Sequence, residues 1–510
     1  MAQAFSPVEE VKPVLFERSR LWTLIAVALL FALGLGIRLY DLTDAPLDFH
    51  PTRQLHSMMI ARGIYYQNLD SAPEWKRDLA VQQWKAEMLL EPPLVENLAA
   101  LGYRLAGGEY LWLPRLFSIL FWMIGAGFLY WIAKDITGAN GGVIALTYML
   151  LLPFAAIASR SFQPEPLMVA SIIAGWWGML RWYRKPTWGR AVTAGLLAGW
   201  AIFVKSVAVF FIGPAWLGLI LGGMGLKAAL RSKQVWVMAL LTVIPYAIYH
   251  VYGVYITGLL ASQFTLRFFP QLLQDPAFFL RWNGMITGVF GFEGFLAAVL
   301  GLFAVRERAP RAMLLSILAG YFFYGLVFTY AITTHNYYQE PVLPLVALGL
   351  AAGISALLPR LNGPRWLVTF AALGLLLFFV AIKTWDVRVT LKRDDYRQEV
   401  VYWQKLGDRI GHDRAVVGLL HDYGYRLAYW GWIQPTNWMT SGDFNFRELD
   451  GRTFDMEKLF EEQTAGKDYF VVTLFTDYER QPKLQSLLER NYPKLVDEDD
   501  LLIFDLKSKK

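Results

Sequence analysis

The run Asp41-Leu42-Thr43-Asp44-Ala45-Pro46-Leu47-Asp48-Phe49-His50-Pro51-Thr52-Arg53-Gln54-Leu55-His56 gathers acids, histidines and an arginine directly after an apolar segment. An acid that is partly desolvated and flanked by bases acquires the shifted pKa that general-base work requires. Asp41 and Asp44 also fit an ordinary turn around Pro46, so residue type alone leaves open which acid would act. Glu165, in Gln163-Pro164-Glu165-Pro166, is either a functional acid or a carboxylate favoured by a helix N-terminus. Lys205 stands alone between two apolar stretches. A lysine there is costly unless it faces a polar cavity or a phosphate, or snorkels to the headgroups. The turn from His335 to Pro341 adds His335, Tyr337 and Tyr338, and the tyrosines also suit plain interface anchors.

Membrane helices have to hold these residues. The 510-residue chain is 55% hydrophobic and only 18% charged, too little charge to cover a soluble protein of that length. Apolar segments lie near 21–39, 116–133, 141–158, 167–183, 191–204, 206–224, 235–252, 285–305, 312–332, 341–358 and 366–383, about eleven spans. Lys12, Arg18 and Arg20 precede the first of them, which is long enough to span and is followed by no small-residue cleavage site, so it is expected to stay attached. The stretch 92–106 is too short to cross and carries Glu96, Asn97 and Arg104, which predicts an amphipathic helix lying in the interface. Without it the count is odd, and the basic loops around Lys134, Arg184, Arg231, Arg308 and Arg360 all fall inside.

Segments 40–115, 159–166, 253–284 and 333–340 are then outside, and Arg53, Arg62, Arg160, Lys205, Arg267 and Arg281 lie outside or at outer helix ends. From Asp386 the composition turns polar. A helix over 400–410, a strand over 415–420, a helix over 422–432, a strand over 469–475, a helix over 478–491 and a strand over 500–506 predict a small α/β domain. The expected division is 1–385 in the membrane and 386–510 as an extracytoplasmic domain. His412, His421, Asp422 and Asp477 in that domain read as surface and capping residues. With no cysteine, disulfides and thiolate sites are excluded. The net charge of +6 is scattered between apolar segments rather than gathered on one face, which argues against nucleic acid as a partner.

Asp48 with His50-Pro51, Glu91-Pro92-Pro93-Leu94, Arg115-Leu116-Phe117-Ser118, Ser159-Arg160 with Glu165, and Gly195-Leu196-Leu197-Ala198-Gly199 leading to Lys205 occur in a familiar order. Over roughly residues 20–350 that order resembles the GT-C superfamily of membrane glycosyltransferases, in the branch of protein O-mannosyltransferases and lipid A aminoarabinose transferases. The resemblance implies a GT-C-like α-helical polytopic fold and a sugar donor linked to polyprenyl phosphate. It also implies transfer with inversion to an acceptor hydroxyl of a lipid, glycan or protein at the outer face of the inner (plasma) membrane. It makes Asp48 the base, although many relatives carry two adjacent acids where this chain has Asp48-Phe49-His50, so His50 takes part of that role or orients Asp48. Glu165 matches the second acid. Lys205, Arg53, Arg160, Arg267, His335 and Tyr337 would hold the donor phosphate, whose charge grows as the glycosidic bond breaks.

No cofactor is expected: His50, His56, Asp48 and Glu165 are the residues from which a divalent site could be assembled, but the branch that the chain resembles generally works without one. A transporter or flippase would set its ionisable residues at mid-membrane and often show repeated halves, and no repeat is found. A non-catalytic envelope scaffold leaves Asp48, Glu165 and Lys205 unexplained. The three readings part on whether these residues converge.

Overall fold

The computed structural model describes residues 15–89, 91–260 and 266–510. Lys12 of the basic N-terminal flank and positions 261–265 of the expected loop 253–284 lie outside them. Helix α1 (Arg20–Leu39) starts where Ser19 accepts a hydrogen bond from the Trp22 amide and covers the first expected span. The loop after it is largely helical: α2 (Pro51–Tyr66), α3 (Glu74–Ala86) and α4 (Leu94–Ala106). Helix α4 is the amphipathic segment expected over 92–106, with Val95, Ala99, Ala100 and Tyr103 buried and Leu101 and Leu105 exposed.

Helix α5 (Trp112–Leu151) has 40 residues, more than one crossing needs. Gly138 divides it at φ 83°, where a side chain would be strained. Its two arms, the second continued by α6 (Pro153–Ala158), carry the spans expected over 116–133 and 141–158. There follow α7 (Glu165–Arg184), α8 (Trp188–Val204), α9 (Val209–Gly223), α10 (Leu226–Arg231) and α11 (Lys233–Val251). The single span expected over 285–305 is instead a broken one. Helices α12 (Pro276–Phe290) and α13 (Phe292–Leu302) meet at 87°, because Gly291 takes φ 72° between them. Helices α14 (Arg308–Val327), α15 (Thr329–Thr334), α16 (Leu343–Leu357) and α17 (Arg365–Arg393) complete the membrane region.

Among the described residues seven helical stretches are long and apolar enough to cross a membrane, or eight with the bent pair. The expected eleven is reached by counting the arms of α5 separately and adding α7 and the 17-residue α8. Helix α8 packs between α7 and α11. Small residues permit that approach: a methyl group on Gly199 would strike the Leu241 carbonyl, so the Gly195–Gly199 spacing is a helix-packing device.

Helix α17 runs through the polar turn in composition at Asp386 and ends at Arg393. Beyond it come α18 (Arg397–Ile410), β1 (Val416–Leu419), α19 (Tyr425–Trp430), β2 (Thr436–Asn437), α20 (Ser441–Glu448), α21 (Met456–Thr464), β3 (Tyr469–Val472), α22 (Phe475–Tyr478), α23 (Pro482–Asn491), β4 (Lys494–Glu498) and β5 (Leu501–Asp505). The sheet order is β2-β1-β3-β5-β4. Strand β1 lies parallel to β2 and β3, and β5 antiparallel to β3 and β4. The expected strands are β1, β3 and β5. Strand β2 is too short to show a period, and Lys494, Asp497 and Glu498 make β4 look like loop. One face of this domain shares a hydrophobic core with the first loop: Leu55, Met58 and Tyr103 pack in one cluster with Trp403, Leu427 and Tyr429.

Candidate active site

Helix α2 enters the site at His50, a residue held at φ 44° just ahead of Pro51. That left-handed turn is uncommon for a histidine and directs the chain from the Asp48 segment into the helix. Asp48 Oδ2 accepts a hydrogen bond of 2.6 Å from Arg115 Nη2 and lies 3.8 Å from Arg160 Nε. Arg115 is fully buried and also donates to the carbonyls of Leu42, Asp44 and Arg160, so it fixes the whole 40–48 turn. Among the described residues the other oxygen, Oδ1, has only a long 3.4 Å contact from Gln54. Asp48 is thus oriented through one oxygen and keeps the second for another partner.

A second cluster forms where α7 begins and α8 ends. Lys205 caps α8 and donates to Glu165 Oε1, and it lies 2.9 Å from Glu91 Oε1. Arg53 reaches the same two carboxylates at 3.5 and 3.6 Å. Lys205 therefore faces neither lipid nor headgroups: its side chain is 12% exposed and fully engaged with acids. Opposite charges outweigh its burial and raise its pKa, so it stays an ammonium. Burial pushes the Glu91 carboxyl up, but Lys205 and Arg53 win and hold it down at about 2.

Arg53 also lies over the Tyr337 ring, 5.9 Å from its centroid, which joins this network to the late turn. There His50 Nε2 is 2.7 Å from Asn336 Oδ1, and the His50 ring sits 4.7 Å from Tyr337 and 6.1 Å from His335. Burial, then the positive surroundings of His50, Arg53 and Arg267, push His335 down to about 4. His335 is neutral at pH 7 and offers a ring N–H rather than a charge. Among the described residues no three His, Asp or Glu side chains are grouped as metal ligands.

The sequence profile of the dolichyl-phosphate-mannose-protein mannosyltransferase family matches residues 90–252. Two solved structures of ArnT from Cupriavidus metallidurans are similar over 94% of this chain and 97% of theirs at 16% identity. The apo form gives a TM-score of 0.56. The form bound to undecaprenyl phosphate gives 0.57. The chain has the GT-C fold. The Archaeoglobus fulgidus oligosaccharyltransferase AglB, in complex with an inhibitory peptide and a dolichol-phosphate, shares it at TM-score 0.58 and 12% identity, over 94% of this chain and 73% of that one. No curated protein sequence matches the chain.

Within this GT-C frame, the expected residues His50, Arg53, Glu165, Lys205, His335 and Tyr337 converge from the start of α2, the start of α7, the end of α8 and the late turn, with Arg267 near enough to act on His335; Asp48, two residues before His50, is held by Arg115 and Arg160. Arg160 does not fit a phosphate site. It is 1% exposed and donates to the carbonyls of Tyr40 and Asp41, which makes it a brace beneath Asp48. Arg62 pairs with Glu109 and stacks on Tyr429 and Trp432, tying the first loop to the C-terminal domain. Arg281 pairs with Asp275 at the start of α12. His56 Nδ1 lies 2.6 Å from Glu87, which also accepts from Tyr425 of the C-terminal domain. Asp422, expected at the surface, accepts from Thr52 at 3.3 Å and from Arg426, so it braces the N-terminus of α2. Sequence reading missed Glu91, Arg115 and Asn336 as members of the site. Glu91 and Arg115 stand in the motifs that carry the family resemblance and Asn336 in the turn from His335 to Pro341, but nothing in those stretches marks the partner each one meets.

Proposed function

We propose that the chain transfers a sugar from a polyprenyl-phosphate-linked donor to an acceptor hydroxyl at the outer face of the inner membrane, with inversion at the anomeric carbon. The supporting observation is the cluster of Lys205, Arg53, His50, His335 and Tyr337, which begins two residues after Asp48, itself held through one oxygen by Arg115. Asp48 Oδ1 takes the acceptor proton as the acceptor oxygen bonds to the anomeric carbon. The bond from that carbon to the phosphate oxygen breaks, and its electron pair leaves on the lipid phosphate. Lys205 and Arg53 stabilise that added charge, the His335 N–H donates to a phosphate oxygen, and Arg267 adds positive potential. No metal enters these steps. The ArnT complex with undecaprenyl phosphate and the AglB complex with a dolichol-phosphate and a peptide support a lipid phosphate as the donor carrier.

The test is incubation of purified protein with a panel of radiolabelled polyprenyl-phosphate sugars. Release of free polyprenyl phosphate with label passing to an acceptor is expected for at least one donor, and label that only crosses the bilayer without bond cleavage would favour a flippase.

A further inference from the structure

Lys205 and Arg53 face a local balance of two cations and two carboxylates, since Glu165 and Glu91 contact both of them. An entering phosphate gains little from cations that are already neutralised in a buried site. For a phosphate to bind there, one carboxylate has to leave.

The two carboxylates are not equally placed to do so. Glu165 begins α7, between Pro164 and Pro166, and is 1% exposed. Glu91 lies outside regular structure, between the end of α3 at Ala86 and the start of α4 at Leu94, and is 16% exposed. Pro92 and Pro93 follow it and carry no N–H with which to anchor that stretch. The cluster also has an unspent donor: Arg53 Nε is buried and makes no hydrogen bond among the described residues. A carboxylate that touches Arg53 only at 3.6 Å leaves it unused, and a phosphate with more oxygens would engage it.

We infer that Glu91 is a resident anion in the donor-phosphate site, holding Lys205 and Arg53 until the phosphate of the polyprenyl donor displaces it. This rests on reading Lys205 and Arg53 as the donor-phosphate cations. Glu91 keeps the empty site charged, paired and folded, and its return helps to expel the product lipid phosphate. It competes with the ligand while supporting the protein.

Binding of undecaprenyl phosphate to the full-length protein separates these ideas. Glu91→Gln removes the competing charge at nearly constant size and should bind the lipid phosphate at least tenfold more tightly than the unaltered protein. Lys205→Ala should bind it at least tenfold more weakly. If folded Glu91→Gln binds equally or less well while Lys205→Ala is weakened, the resident-anion role is wrong and the donor site stands. If neither Lys205→Ala nor Arg53→Ala changes the affinity, the donor-site reading falls and takes this inference with it. Should Glu91→Gln not fold, Glu91→Asp keeps the charge but shortens its reach; tighter binding by that variant supports the inference, and unchanged or weaker binding overturns it.

Discussion

Glu96, on the buried face of α4, makes the stability of this protein depend on pH. Burial pushes its carboxyl up to about 7, against the pull of the Ser57 hydrogen bond, whereas an unfolded glutamate titrates near 4.3. Between those values the folded chain holds a proton that the unfolded chain has released. Stability is therefore highest below about pH 4.3 with respect to this group and falls as pH rises to about 7, by at most roughly 4 kcal/mol. Glu96→Gln should flatten the fall of melting temperature over pH 4.5–7.5 and melt higher than the unaltered protein at pH 8; parallel curves would show that Glu96 is not the group responsible. Lys205 was legible from sequence because a lysine between apolar spans demands a reason; Asp48 and Glu165 were legible only through the family resemblance. Glu91 and Arg115 were not, since nothing in one sequence says that a loop carboxylate meets a lysine more than a hundred positions away, or that an arginine at a helix start turns inward.

Among the elements, the position of Lys205 depends on α8, whose Gly199 face lies against α11. Gly199→Ala would drive a methyl group into the Leu241 carbonyl and force the helices apart, at a cost of about 1–3 kcal/mol. Because Lys205 is the C-cap of the same helix, donor affinity should fall together with melting temperature. A loss of stability with unchanged lipid-phosphate binding would show that the cation is held from the α7 side alone. Element existence was largely readable from hydropathy, including the amphipathic α4 and strands β1, β3 and β5. The breaks at Gly138 and Gly291 were not, because an isolated glycine in an apolar run is also tolerated within a straight helix. The helices α2 and α3 were missed for a different reason: they lie in a loop, where α2 buries a face against the C-terminal domain and α3 packs on α2, so no membrane periodicity marks them.

On the scale of the molecule, the first loop and the C-terminal domain form one body. Arg62 with Glu109 and Tyr429, Glu87 with Tyr425, the Asp44 carboxylate accepting from the Tyr396 amide, and Arg397 with Asp41 all cross between them. Both must then lie on the same side of the membrane, and the basic loops between spans predict that this side is the outer one. A reporter active only in the cytoplasm, fused after Lys510, should stay silent; a strong signal would reverse the topology and move the site to the inner face. The central claim is that Asp48 activates an acceptor against a lipid-linked sugar, and the most direct measurement is the rate of polyprenyl phosphate release by the unaltered protein and by Asp48→Asn. Loss of a general base slows turnover by roughly two to four orders of magnitude, so the variant should bind donor but release lipid phosphate that much more slowly. Near-normal release by folded Asp48→Asn protein would contradict the account.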